Sequence, residues 1–163
     1  MEAPNPLSNP YAPPAAPIPV ATTGASSYVD ERRNVLLLIL LSIVTLGLYP
    51  AIWYWRRTPF LDSLASEYKM RPITLIYLIV SVAYLAIRIA IQVTGFEPNP
   101  TRPLQLGVGI FGLVVAFRVA RVLRSDFART GRFISMSGVG IFFFGSLYLQ
   151  HVINEAGDAP PRA

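Results

Sequence analysis

Asn34–Trp55, NVLLLILLSIVTLGLYPAIWYW, runs for 22 positions without a charged side chain, between the pairs Arg32–Arg33 and Arg56–Arg57. As a helix rising about 1.5 Å per residue it would extend about 33 Å, enough to cross a hydrocarbon core of about 30 Å. The run therefore predicts a transmembrane helix. Trp53, Tyr54, Trp55 and two arginines follow it where a signal peptide would carry a small-residue cleavage site, so it is expected to stay in the mature chain. Tyr49, Trp53, Tyr54 and Trp55 read as an aromatic belt at its exit, and Pro50 as a kink.

Three further apolar runs follow: about 72–94, interrupted by Arg88; about 104–123, with Arg118 and Arg121 near its end; and about 133–153. With 34–55 they predict an all-α fold, an integral membrane bundle of four transmembrane helices occupying residues 32–155. A soluble bundle would need polar outer faces, which these runs lack. Between the first two runs, Thr58 can cap a short amphipathic helix with Pro59 at its first position. Phe60, Leu61, Leu64 and Tyr68 would share its apolar face, opposite Asp62, Ser63, Ser66, Glu67 and Lys69, so it is expected to lie at the membrane interface. Residues 1–31 are proline-rich and predict a disordered tether with polyproline II character; 156–163 predict a disordered C-terminal tail.

Composition agrees with a membrane environment. Charged residues make up 14% of the chain, against about 25% in soluble domains, and the mean hydropathy is +0.46. The net charge of +5 is spread between apolar runs instead of forming one patch, which excludes nucleic acid and points to anionic membrane lipids as partners. The chain has no cysteine, so disulfides and thiolate metal sites are excluded. Four spans would place Arg56, Arg57, Lys69, Arg71, Arg121, Arg124, Arg129 and Arg132 on one side, against Arg32, Arg33, Arg102 and Arg162. The positive-inside rule then predicts cytoplasmic first and third connections and both termini outside.

Thr74, Tyr77, Ser81, Tyr84, Arg88 and Gln92 recur every three or four residues and share one helical face. This polar seam reads either as the lining of a wet path or as interhelical hydrogen bonding at about 0.6 kcal/mol per contact, with Arg88 snorkelling. Arg118, Arg121 and Arg124 read as contacts to lipid headgroups. Gly112, Ala116 and Ala120 form a small-residue edge suited to close helix packing, within the chain or with a second copy or another membrane protein. No carboxylate lies inside any run, which disfavours a proton relay. His151, the only histidine, sits beside Gln150 and near Asn154 and Glu155, a cluster better suited to an interfacial polar contact than to metal binding. Catalytic, cofactor and metal sites are therefore all expected to be absent, and the chain is expected not to be an enzyme. The first expectation is action through lipids or other membrane proteins; the alternative is an oligomeric small-solute transporter using the seam.

The segment Arg33–Tyr49, with its Leu-Ser-Ile-x-Thr-x-Gly-x-Tyr pattern at Leu41–Tyr49, followed by Trp53 and Tyr54, resembles the opening of a bacterial membrane-protein family catalogued as domain of unknown function 4234. Tyr148-Leu-Gln-His-Val-Ile-Asn154 is similar to that family's closing signature, and Pro50 departs from its pattern. The resemblance implies a multi-pass protein of a bacterial or archaeal cell membrane and carries over no site residues.

Overall fold

A computed structural model describes residues 28–64, 69–95, 101–132 and 134–158. Five helices follow in order: α1 (Val35–Val44), α2 (Tyr49–Ser63), α3 (Arg71–Thr94), α4 (Thr101–Arg129) and α5 (Gly138–Asp158). The fold is all-helical among the described residues. Most of the proline-rich tail, Tyr68, Ser66 and Glu67 of the expected amphipathic helix, and the prolines at 98 and 100 lie outside them.

The first apolar run is not one helix. It breaks after Val44, and the chain turns through Leu46 (φ 52°) and Gly47 (φ 87°) before α2 starts. Gly47 is suited to that left-handed position because it has no Cβ. The Thr45 hydroxyl accepts the Tyr49 amide at 2.9 Å, replacing a bond that the break removes. Pro50 then sits in the first turn of α2, where its missing N–H costs nothing, so it starts a helix instead of kinking one.

The expected interfacial helix is corrected in the same way. Residues 58–63 continue α2, with Pro59 inside it, and Phe60, Leu61 and Leu64 are buried in the bundle. Thr58 is not a cap: its hydroxyl meets the Thr74 hydroxyl at 2.8 Å and bonds the Tyr54 carbonyl. α3 agrees with the expected 72–94, whereas α4 begins before Leu104 and continues past Leu123 to Arg129.

α5 folds back on itself at Gly145 (φ 44°, ψ −115°). The Ser137 amide donates to the Tyr148 hydroxyl at 2.8 Å, and a Cβ on Gly140 would lie 2.8 Å from the Tyr148 ring. A straight helix would put Cα atoms eleven residues apart about 16 Å from each other, farther than a tyrosine reaches. The fourth run is therefore two short limbs joined at a glycine. Residues 156–158 also belong to this helix, not to a disordered tail.

α3 and α4 pair as a long antiparallel hairpin, α2 packs on α3, and α1 packs on α2 and α5. The core concentrates at one end. There Tyr28 is fully buried, edge-on to Phe60 at 5.1 Å and 5.7 Å from Phe127, and its hydroxyl donates to Asp126 at 2.7 Å. Arg32 pairs with Asp158, and Arg132 donates to the Ala156 carbonyl at 2.5 Å. Residues 28–32 and 156–158 thus pack beside the ends of α2 and α4. These two segments, expected opposite the first and third connections, lie at the same end of the bundle as the ends of α2 and α4, and Tyr28, expected in the tether, is part of the core.

Candidate functional site

The seam on α3 divides at its middle. Thr74, Tyr77 and Ser81 are 0%, 8% and 6% exposed, sealed against α2 and α4. Tyr77 packs edge-on against Tyr54 (5.9 Å) and Phe111 (5.6 Å), while the hydroxyls of Thr74 and Ser81 bond back to the carbonyls of Met70 and Tyr77. These residues are interhelical and local hydrogen-bonding groups. Tyr84 and Arg88 line a cleft of about 240 Å³ together with Gln105, Val108 and the Leu46–Leu48 turn, and Tyr77 and Ser81 contribute to its wall. Gln92 is exposed beyond it. Among the described residues no carboxylate forms an ion pair with Arg88.

The cleft exists because the α1–α2 hairpin stops partway along α3. Irregular backbone at Leu46–Leu48 meets the open face of the α3–α4 hairpin there. Gly112 allows α4 to approach: a Cβ there would lie 2.7 Å from the Tyr77 hydroxyl oxygen. Ala116 and Ala120 continue the same buried edge, so the small-residue stripe serves packing within the chain.

A second constellation lies at the base of the hairpin, and of its members only Gln150 and Asn154 are grouped by the sequence. The Gln150 carbonyl oxygen accepts from Trp53 Nε1 (2.9 Å) and Arg57 Nη2 (2.8 Å), and its amide donates to the Glu31 carbonyl (3.1 Å) and Asn154 Oδ1 (2.8 Å). Arg57 also pairs with the Glu31 carboxylate. Asn154 exchanges two hydrogen bonds with the Arg33 backbone, at 3.1 and 2.8 Å. This network ties the segment before α1 to α2 and α5. Its signal in the sequence is the pair of i,i+4 spacings, Trp53 with Arg57 and Gln150 with Asn154, each of which puts two polar groups on one face. Of the expected polar cluster Gln150, His151, Asn154 and Glu155, the structure joins Gln150 to Asn154, whereas His151 and Glu155 are exposed.

Beside this network, burial and the adjoining Asp126 carboxylate raise the Tyr28 hydroxyl pKa well above its usual range. Arg118, Arg121 and Arg124 project outward from α4, and Arg124 donates to the Met136 carbonyl at 3.0 Å. Among the described residues no group of three His, Asp or Glu side chains is placed to hold a metal ion.

The sequence pattern at Leu41–Tyr49 therefore has a structural meaning. Ser42 offers its carbonyl to the Gly47 amide at 2.8 Å, Thr45 caps Tyr49, and Gly47 turns the chain. No curated protein and no solved structure is detectably similar to the chain. Residues 33–125, more than half of its length, match the family described as Domain of unknown function (DUF4234), and the chain belongs to that family.

Proposed function

We propose that this is a non-enzymatic integral membrane protein, of a bacterial cell membrane, that acts through contact with anionic lipids and other membrane components. α3 and α4 cross the bilayer; α1–α2 and the two limbs of α5 enter from one face and return to it. Two spans thus replace the four that the apolar runs suggest. The observation that carries the reading is the meeting of residues 28–32, the ends of α2 and α4, and residues 156–158 at one end of the bundle. With 24 residues α3 extends about 36 Å, whereas the 10 residues of α1 extend about 15 Å.

Lipid contact accounts for the surface. Only 17% of the most apolar α3 window is buried, far less than in the core helix of a water-borne globule. Leu36, Ile43, Val93, Leu106 and Phe143 are all more than 60% exposed, a girdle that acyl chains would cover. The returning hairpins also collect Arg32, Arg33, Arg56, Arg57, Lys69, Arg71, Arg121, Arg124, Arg129 and Arg132 toward one end, leaving Arg102 at the other and Arg88 between. That asymmetry favours a cytoplasmic basic end bearing both termini, beside anionic headgroups.

Single-cysteine labelling tests the topology, since the chain has no cysteine of its own. Val20→Cys, Ala65→Cys and Ala159→Cys are expected to react from the same face and Asn99→Cys from the other. Reaction of Val20→Cys and Ala65→Cys from opposite faces would restore the four-span arrangement. The transport reading retains the Tyr84–Arg88 cleft in its favour, but a path along the seam would end at sealed Ser81 and Tyr77. Solute flux in proteoliposomes above that of empty vesicles would revive it.

A further inference from the structure

The depth of each element can be read from its contacts. α2 runs antiparallel to α3, with Thr58 beside Thr74 and Tyr54 beside Tyr77, so the Leu46–Leu48 turn reaches the level of Tyr84. Thr94 lies ten residues farther along α3, about 15 Å beyond that turn. The Gly145 bend stops even lower, since a Cβ on Gly145 would lie 3.7 Å from the Tyr54 hydroxyl oxygen. Below the level of Tyr84 the cross-section therefore holds six helical limbs among the described residues: α1, α2, α3, α4 and the two limbs of α5. Above it only α3 and α4 continue.

We propose that this taper makes the chain a sensor of membrane curvature; the inference rests on the two-span placement above. Six limbs of similar diameter occupy about three times the area of two, so one leaflet is displaced far more than the other. The occupant of the space over the short hairpins is lipid. The exposed surface of both halves is mostly apolar, from Leu36 and Phe143 in the wide half to Val93 and Leu106 in the narrow half; Arg88, beside the turn, has a stem long enough to snorkel, and most of the basic residues are gathered at the wide end. Crowding one leaflet is relieved when that leaflet is on the outside of a bend. The chain should therefore accumulate where the leaflet holding its basic end is convex, just as helices inserted into a single leaflet respond to curvature. Sorting needs no conformational change, only a difference in free energy between the two environments.

The test uses the full chain carrying Ala65→Cys with a fluorophore, reconstituted in giant vesicles of neutral and anionic phospholipid from which narrow membrane tubes are drawn. An impermeant quencher separates molecules with residue 65 outside from those with it inside. Outward molecules are expected to be enriched in the tube about threefold per unit lipid, a preference slightly above RT, and inward molecules to be depleted. Replacing Phe142, Phe143 and Phe144 with Ala, all exposed in the wide half, should bring both values toward parity. If that variant does not fold, the two orientations of the parent still decide the matter. Equal densities for both orientations overturn the inference while leaving the two-span topology intact. Equal densities together with two-step photobleaching would show a second copy covering the taper, which also overturns it. Labelling of Val20→Cys and Ala65→Cys from opposite faces overturns the topology and the sensor together.

Discussion

Replacing Gln150 with Leu should loosen the base of the α1–α2 hairpin, and the expected size follows from which groups lose their partners. Gln150 is fully buried and makes four hydrogen bonds. After the change, the Glu31 carbonyl still accepts from Arg57, Arg57 still pairs with the Glu31 carboxylate, and Asn154 still bonds the Arg33 backbone. The Trp53 indole N–H alone is stranded, at about 1 to 3 kcal/mol, and the lost bond to the charged Arg57 adds about 1.5 to 3 kcal/mol. The total is about 2.5 to 6 kcal/mol. Trp53→Phe alone should cost less, because it removes the donor and leaves Gln150 bonded to Arg57. In the double variant no indole remains to be stranded, so the two effects should fall short of their sum by at least about 1 kcal/mol. Unfolding free energies from denaturing-detergent titration in micelles measure all three. Additive effects, or a Gln150→Leu protein as stable as the parent, would refute the argument that this network holds the hairpin's base.

Gly112→Ala should destabilise the α3–α4 hairpin by about 1 to 3 kcal/mol, since its Cβ would crowd Tyr77 at 2.7 Å, and adding Tyr77→Phe should recover part of that loss in the same titration. Stability should fall as pH rises through about 10, because the unfolded tyrosine ionises there while buried Tyr28, beside Asp126, keeps its proton in the folded state. Tyr28→Phe should lower stability at neutral pH and flatten that decline. Arg88→Leu should leave folding unchanged or improved, because Arg88 is exposed and joins no ion pair among the described residues; a folded variant that has lost solute flux would favour the transport reading.

The sequence made the helical class legible because long runs without charge are incompatible with a watery surface, and α3 agrees closely with its run. It did not reveal the breaks in the first and last runs. A count of apolar residues is insensitive to direction: a helix that crosses and a hairpin that returns can bury the same side chains in lipid. The information that separates them is local, in the Thr45 hydroxyl, in the positive φ at Gly47 and in the bend at Gly145, and a hydropathy average weighs none of these. The polar seam was legible as a face but not as a site, since spacing places six residues on one side of α3 without saying where α2 stops covering them. Tyr28 was read as the end of a tail because its burial depends on Phe60 and Phe127, which only tertiary packing brings to it.

Charge gives an independent check on the returning hairpins. With four spans the basic residues divide eight against four, and Arg32 and Arg33 have to pass through the membrane. When α1–α2 turns back at Gly47, the pairs flanking the first run, Arg32–Arg33 and Arg56–Arg57, fall on one face, and neither pair is translocated. The backbone turn and the positions of the arginines thus support the same topology from different physics: one from the hydrogen-bonding needs of a chain in lipid, the other from the energy of moving guanidinium across it. Shortening the hairpins also explains why buried polar contacts concentrate at one end. In the proposed two-span placement Gln150, Arg57, Glu31 and Asp126 would lie toward the headgroups, each with hydrogen-bond or ion-pair partners that offset its burial, while the far end of the α3–α4 hairpin would present a mostly apolar exterior to acyl chains.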